Sequence, residues 1–237
     1  MAEFRMNASL KNFYRKLRLP LNRASAFRHL RRFHSRARTI EEVVDSALHF
    51  PSRGLMRVDS IQKRSEILAL AKAVAVLKPR RILEIGTARG GTLFIWAQLG
   101  AETVVSCDLE DPGPKRSFYQ AFPPLGSGCR VVHLSGDSHQ SAFKQRIEQE
   151  LAGGPVDFLF IDGDHTEKGV AADFRDYHAL VRPGGIIAFH DIAERQSLPT
   201  NQVQHFWRKL KSQHTTEEFI DDPAQTGYGI GIVRVPS

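Results

Sequence analysis

Cysteine is almost absent from this chain of 237 residues: Cys107 and Cys129 are its only two. Two thiols without metal-site spacing exclude a disulfide framework and a structural zinc site, and they point to a reducing compartment in which they pack as small apolar groups. Long apolar runs are absent as well. No stretch reaches the roughly eighteen residues of a spanning helix, and no short apolar block follows the basic start as a secretory signal requires. A soluble, cytoplasmic protein is the expectation.

Acids are missing at one end only. Residues 1–40 hold eleven Lys and Arg against Glu3 alone, a net of +10, so the chain's total of +7 leaves −3 for everything after them. The charge therefore belongs to an arm, residues 1–38. Its basic residues beside the apolar positions Phe13, Leu17, Leu19, Phe27, Leu30 and Phe33 suit packing on its own domain, peripheral contact with an anionic membrane at its inner face, contact with nucleic acid, or an acid-poor organellar transit peptide.

What is present after the arm is ordered. "TIEEVVDSALHF" opens with Thr39 and Glu42 three residues on, a capping-box pattern that predicts a helix over about 40–50. Asp59 and Gln62 repeat that pattern ahead of "SEILALAKAVAV", where Ile61, Leu68, Ala71 and Ala75 recur at helical spacing and are expected to bury one face. Lys78 and Pro79 stop this second helix. From residue 80 the pattern changes to short apolar runs alternating with helical segments: "RILEIG", "TVVSCDL", "RVVHL", "VDFLFID" and "GGIIAFHD". Runs of continuous hydrophobicity suit strands covered on both faces. The tail "TEEFIDDPAQTGYGIGIVRV" offers two more strands joined by a turn. The predicted fold is α/β: a doubly wound, mostly parallel, seven-stranded Rossmann-like sheet with an antiparallel C-terminal edge, preceded by N-terminal helices. Residues 39–237 form one domain that includes lead-in helices over 39–78.

Ligands of such sheets bind at the carboxyl ends of the strands. The first strand runs into Glu84, Gly86, Gly90 and Gly91, a spacing longer than the G-x-G-x-x-G of a dinucleotide site, so the turn passes alongside a bulkier ligand that lacks a pyrophosphate. The second ends in Asp108, an acid placed to accept from ribose hydroxyls. The third runs into Asp137, Ser138 and His139, groups able to bond an adenine edge or to cap a helix. Together they suggest a nucleoside ligand.

With "LEIGTARGGT", "FIDGDHTEKGVAADF" and "LVRPGGIIAFHDI" in that order, residues 58–235 resemble class I S-adenosylmethionine-dependent methyltransferases. They are most similar to the branch containing cephalosporin-hydroxylase-like proteins and the sugar and macrolide O-methyltransferases. The resemblance implies S-adenosylmethionine as cofactor, with its methionine end near Glu84, Gly86, Thr87 and Gly90, its ribose on Asp108 and its adenine near Asp137 and Ser138.

Chemistry is expected where "IDGDH" and "FHD" bring Asp162, Asp164, His165, His190 and Asp191 into one crevice. A neutral hydroxyl is a poor nucleophile, so methylating one requires that its proton leave, through a general base or a divalent cation. Catechol O-methyltransferases, similar in layout, hold magnesium with an Asp after the fourth strand and an Asp-Asn pair after the fifth, and place a basic Lys three residues after the first Asp. That similarity implies Asp162, His190 and Asp191 as metal ligands and Asp162 and His165 as catalytic groups. Magnesium is the metal by resemblance, and imidazole keeps manganese and zinc in play. Asp164 is read as a ligand or as orienting His165, and His165 itself as base or as helix cap.

The expected function is O-methylation of a hydroxyl on a sugar or other small-molecule natural product. The alternative is a hydroxylase-like or non-catalytic member that binds the nucleoside cofactor without methyl transfer. A base methyltransferase would carry an Asn- or Asp-Pro-Pro-aromatic run after the fourth strand, and "IDGDH" is not one, so no specific nucleic acid is expected. The acceptor site is expected from "FPSRGLMRVDS" and from "IAERQSLPTNQVQHFWRKLK", whose Phe206, Trp207, Arg208, Lys209 and Lys211 read as an amphipathic helix packed on the sheet, and whose Gln202 and His205 could face the crevice. A homo-oligomer is compatible with all of this.

Overall fold

The structure is a computed structural model, and it describes residues 8–237. Two helices, α1 (Ala8–Leu17) and α2 (Leu19–Phe33), lead into α3 (Ile40–Leu48) and α4 (Arg64–Val76). Strands and helices then alternate: β1 (Arg81–Ile85), α5 (Gly91–Ala97), β2 (Thr103–Asp108), α6 (Arg116–Tyr119), β3 (Arg130–Ser135), α7 (Ser141–Glu150), β4 (Val156–Ile161), α8 (Glu167–Tyr177) and β5 (Val181–His190). The chain closes with α9 (Val203–Lys211), β6 (Thr216–Phe219) and β7 (Ile230–Arg234). The seven strands lie in the order β3-β2-β1-β4-β5-β7-β6; the first five are parallel, and β7 alone runs against them, pairing antiparallel with β5 on one side and β6 on the other. This is the predicted doubly wound sheet with its antiparallel edge.

The period-2 geometry of strands explains why the apolar runs are unbroken. Ile82, Val104, Phe158 and Ile186 face one core with α2, α3, α4 and α5. Their neighbours Leu83, Val105, Leu159 and Ile187 face a second core with α7, α8 and α9. On the first side Ala26, Leu30 and Phe33 of α2 are buried, and the Phe33 ring meets Phe94 of α5 edge-on at 5.1 Å between centroids. Residues 19–33 of the basic stretch thus pack on the sheet domain. On the other side Trp207 and Leu210 of α9 are buried and Arg208, Lys209 and Lys211 carry the exposed face, the amphipathic packing helix expected there.

The capping box at Thr39 forms in full: the Glu42 N–H donates to Thr39 Oγ1 and the Thr39 N–H to Glu42 Oε2. The second one does not. α4 begins only at Arg64 without a side-chain cap, because both would-be capping groups have stronger partners elsewhere. Asp59 is held by Arg57 at 2.9 Å and by Arg89 at 3.0 Å, while the Gln62 amide donates to Asp162. The buried face of α4 rotates accordingly to Ile67, Leu70, Ala71 and Val74, and Ile61 is exposed. Among the described residues no helix is long and apolar enough to cross a membrane.

Candidate active site

The carboxyl ends of β1, β2, β3 and β4 surround a cleft of about 600 Å³, the size of a nucleoside-bearing ligand. Gly86 makes it possible. Its φ is +97°, and a Cβ there would sit 2.0 Å from the carbonyl oxygen of Asp162, so the turns after β1 and β4 touch only because no side chain intervenes. Asp108 ties the glycine turn to β2: its carboxylate accepts from the Ala88 N–H at 2.7 Å and from the Glu110 N–H at 2.9 Å.

Gly86, Asp108, Asp137 and Ser138 all line this cleft. The Asp137 carboxylate accepts from the His139 N–H and the Gln140 amide, and the Ser138 hydroxyl donates to Asp173 at 2.7 Å. Thr87 faces the adjoining pocket instead. Glu84 and Gly90, expected at the methionine end, stand behind the cleft and line neither pocket. Gly90 is left-handed at φ +84° and backs onto the Tyr119 ring. Glu84 is fully buried, taking hydrogen bonds from the Trp96 indole at 2.8 Å and from the Ser106 hydroxyl. Burial pushes its carboxyl up to about 7, against the opposing effect of those donors.

The second pocket, about 230 Å³, opens off the first and holds His165, Asp162, His190 and Asp191 together. His165 Nδ1 lies 3.2 Å from Asp191 Oδ2 and its Nε2 lies 3.4 Å from Asp162 Oδ1. Its side chain is 41% exposed, so one edge of the ring reaches the pocket. His190 is buried beneath, with Nδ1 3.1 Å from Asp162 Oδ1 and 3.4 Å from Asp191 Oδ1. Burial opposes ionisation of Asp162, but the charge on His190 and the two imidazoles beside it outweigh that and hold the carboxyl well below the carboxylate range. By the same attraction His190 rises to about 9 despite its burial, and the neighbouring Asp162 carboxylate raises His165 above its ordinary value.

Asp191 sits at φ +64°, a left-handed conformation that Asp tolerates better than most residues. The conformation turns the chain so that His190 and Asp191 share one crevice. It is stabilised by Asn201, whose amide donates to Asp191 Oδ2 at 2.5 Å, and by the Tyr228 N–H, which donates to Oδ1 at 3.0 Å. The Tyr228 loop is in turn anchored by buried Glu66, which accepts from the N–H groups of Asp221 and Gly229 and from the Gln225 amide.

His165 is not a helix cap. Thr166 caps α8, accepting from the Gly169 N–H at 3.0 Å, and Asp164 accepts from the Thr166 N–H rather than touching His165. Thr166→Ala is expected to cost about 1 kcal/mol, seen as a fall of about 2–4 °C in melting temperature for a domain of this size. Of the two residues expected to face the crevice, Gln202 braces His165 through its N–H, which donates to the His165 carbonyl at 2.7 Å, and His205 is exposed.

The expected metal ligands Asp162, His190 and Asp191 are drawn together but do not fit an ion. Ligands must aim lone pairs at one point, whereas here the imidazoles lie between the carboxylates. The other oxygen of Asp162 accepts from Gln62 at 3.1 Å, and both oxygens of Asp191 accept from N–H donors. Among the described residues no group of three or more His, Cys, Asp or Glu side chains is arranged to hold a metal. The crevice is a hydrogen-bonded acid–imidazole network.

The strand order and the cleft at its switch point are those of a Rossmann-like methyltransferase fold. Residues 83–192 match a family described as a methyltransferase domain. An O-methyltransferase from Bacillus cereus, solved with S-adenosylhomocysteine, is 22% identical at a TM-score of 0.56, over 84% of this chain and 91% of that one. The MycE methyltransferase of the mycinamycin biosynthetic pathway, solved with magnesium, S-adenosylhomocysteine and mycinamycin VI, is 19% identical at a TM-score of 0.56, over 85% of this chain and 56% of its own. At these identities the likeness is one of fold. The uncharacterised protein R132 of Acanthamoeba polyphaga mimivirus is 30% identical over 124 residues, 49% of this chain and 53% of that protein. The chain spans between 17% and 53% of the length of the curated relatives it matches.

Gln62, Asn201 and Tyr228 are site residues that sequence reasoning missed. Gln62 has the local signature of a cap, and the contacts of the other two carry no periodic or motif signal. The flanking glycines of "TGYGIG" are the only local hint of a strained loop at Tyr228, whose φ is +63°.

Proposed function

We propose that the protein methylates a hydroxyl of a small-molecule acceptor, a sugar or a related natural product, and that His165 removes the hydroxyl proton. The observation that carries this reading is the placement of His165, its ring between Asp191 and Asp162 at the junction of the two pockets. With His165 Nδ1 3.2 Å from Asp191 Oδ2, an Nδ1–H directed at that carboxylate would fix the tautomer and leave Nε2 to take a proton. The 3.4 Å from Nε2 to Asp162 exceeds an ordinary hydrogen bond, so an acceptor hydroxyl can displace that contact. Asp191 then balances the imidazolium as it forms. S-adenosylmethionine, when bound against Gly86, Asp108, Asp137 and Ser138, supplies an electrophilic sulfonium methyl group. Gln62, Arg89 and Tyr228 wall the acceptor side. The natural-product reading draws its support from the fold shared with MycE.

The first test is calorimetric titration with S-adenosylmethionine, with NAD as control, followed by transfer of labelled methyl to a panel of hydroxylated acceptors. Binding of S-adenosylmethionine and not of NAD is expected, with Asp108→Ala weakening it roughly ten- to hundredfold. Transfer is expected to survive EDTA, since no step runs through an ion. Loss with EDTA and recovery with magnesium or manganese would replace the base by metal assistance at Asp162, His190 and Asp191. Tight cofactor binding without transfer to any acceptor would favour a hydroxylase-like or non-catalytic member.

A further inference from the structure

We infer that the outer face of the N-terminal helices is a docking surface for an anionic lipid bilayer. The helices are two-sided. Ala26, Leu30 and Phe33 turn inward and are buried in the domain core, so the apolar side chains on the other side are not leftover core. Phe13, Leu17 and Leu21, four residues apart, are 60%, 63% and 74% exposed. The junction between α1 and α2 does not break this stripe, because the Arg18 N–H donates to the Tyr14 carbonyl at 3.1 Å and the Asn22 N–H to the Arg18 carbonyl at 3.0 Å. Helical periodicity continues the same stripe from Leu21 to Arg28 and Arg32, seven and eleven residues on, with Arg31 beside them.

All three arginines are exposed, and none forms an ion pair with a described carboxylate, whereas Arg36 and Arg38 beyond them are both engaged by Glu42. One face therefore presents an apolar half followed by a cationic half, on a segment whose charge is +10 against −3 for the rest of the chain. That pairing selects the occupant. Nucleic acid would use the arginines and leave Phe13, Leu17 and Leu21 without partners. A second copy would bury the apolar half only by bringing two such cationic segments together. A bilayer with anionic headgroups satisfies both halves at once: the arginines meet phosphate and carboxylate, and the leucines and phenylalanine enter the acyl boundary.

The surface also lies near the reaction. Arg15 lines a cleft of about 450 Å³ with Arg57, Arg89 and Lys115, and this cleft adjoins the proposed cofactor cleft at Ala88 and Asp108.

Flotation of the full chain with vesicles tests the inference, comparing phosphatidylcholine alone with phosphatidylcholine mixed with phosphatidylserine. Binding is expected only to the mixture, and high salt is expected to weaken it. The triple variant Arg28→Glu/Arg31→Glu/Arg32→Glu is expected to bind roughly hundredfold more weakly, and Leu17→Ser/Leu21→Ser roughly tenfold. All five positions are exposed, so melting temperature and S-adenosylmethionine binding should be unchanged in both variants and serve as controls for folding. Failure of the folded protein to float with phosphatidylserine overturns the inference. So does binding that survives the leucine changes undiminished, and so does tighter binding to duplex RNA or to an acidic protein, lost with the arginines alone.

Discussion

His165→Ala is expected to lower methyl transfer about 10²- to 10⁴-fold while leaving S-adenosylmethionine affinity within about threefold, a shift under about 1 kcal/mol. The split is the informative part. His165 contacts two carboxylates, and its backbone carbonyl, which accepts from Gln202, survives the substitution. A purely structural histidine would instead lower melting temperature and cofactor affinity together. Asp191→Asn tests the second half of the arrangement. It keeps the shape of the side chain but removes the charge that stabilises the imidazolium, and turns one oxygen now accepting from Asn201 or Tyr228 into a donor. Transfer should fall by one to two orders of magnitude, less than for His165→Ala. Partial restoration of the His165→Ala variant by added imidazole is the confirming result. Unchanged turnover in His165→Ala, with transfer abolished by EDTA in the parent protein, would remove the base from the mechanism.

Elements whose cause lies within a few residues were legible in the sequence. The capping box at Thr39 and Glu42 needs only a four-residue window, and it forms as read. The five parallel strands announce themselves because burial on both faces forces continuous hydrophobicity, as in Val156–Ile161, where every residue is buried. The acids and imidazoles after β4 and β5 were legible for a different reason: topology brings adjacent parallel strand ends to one crevice whatever the details. What stayed hidden depends on partners far away in sequence. Asp59 and Gln62 match a cap locally, but Gln62 is bound across 100 residues to Asp162, and the competing ion pairs of Asp59 decide where α4 starts. Glu84 misled in the same way. An acid at the end of the first strand reads as a ligand group, yet its partner Trp96 turns it into the core.

That burial of Glu84 gives the molecule a pH dependence that can be measured directly. The folded carboxyl has a value of about 7, against 4.5 for an unperturbed glutamate, which stands for the unfolded chain, so folding favours the protonated form. Below about pH 4.5 both states hold the proton and the contribution to stability is fully present. As pH rises from there, the unfolded chain ionises first and stability declines at up to about 1.4 kcal/mol per pH unit, levelling off once pH has passed about 7. Over the whole window the loss from this one group is about 3 kcal/mol, an order-of-magnitude figure for a side chain with no exposure. Glu84→Gln removes the titration while keeping an oxygen for the Trp96 indole and turning the other position into an amide N–H that can donate to Ser106 Oγ. The variant is therefore expected to match or fall slightly below the parent protein in urea at about pH 5 and to exceed it at about pH 8, with Trp96 emission reporting the local environment. Other groups titrate over the same range, Asp173 among them at about 6, so the decisive quantity is the difference between the two proteins rather than either profile. A difference that is the same at both pH values would mean that Glu84 is ionised in the fold throughout, stabilised by its three donors Ser106, Thr92 and Trp96 more strongly than burial penalises it.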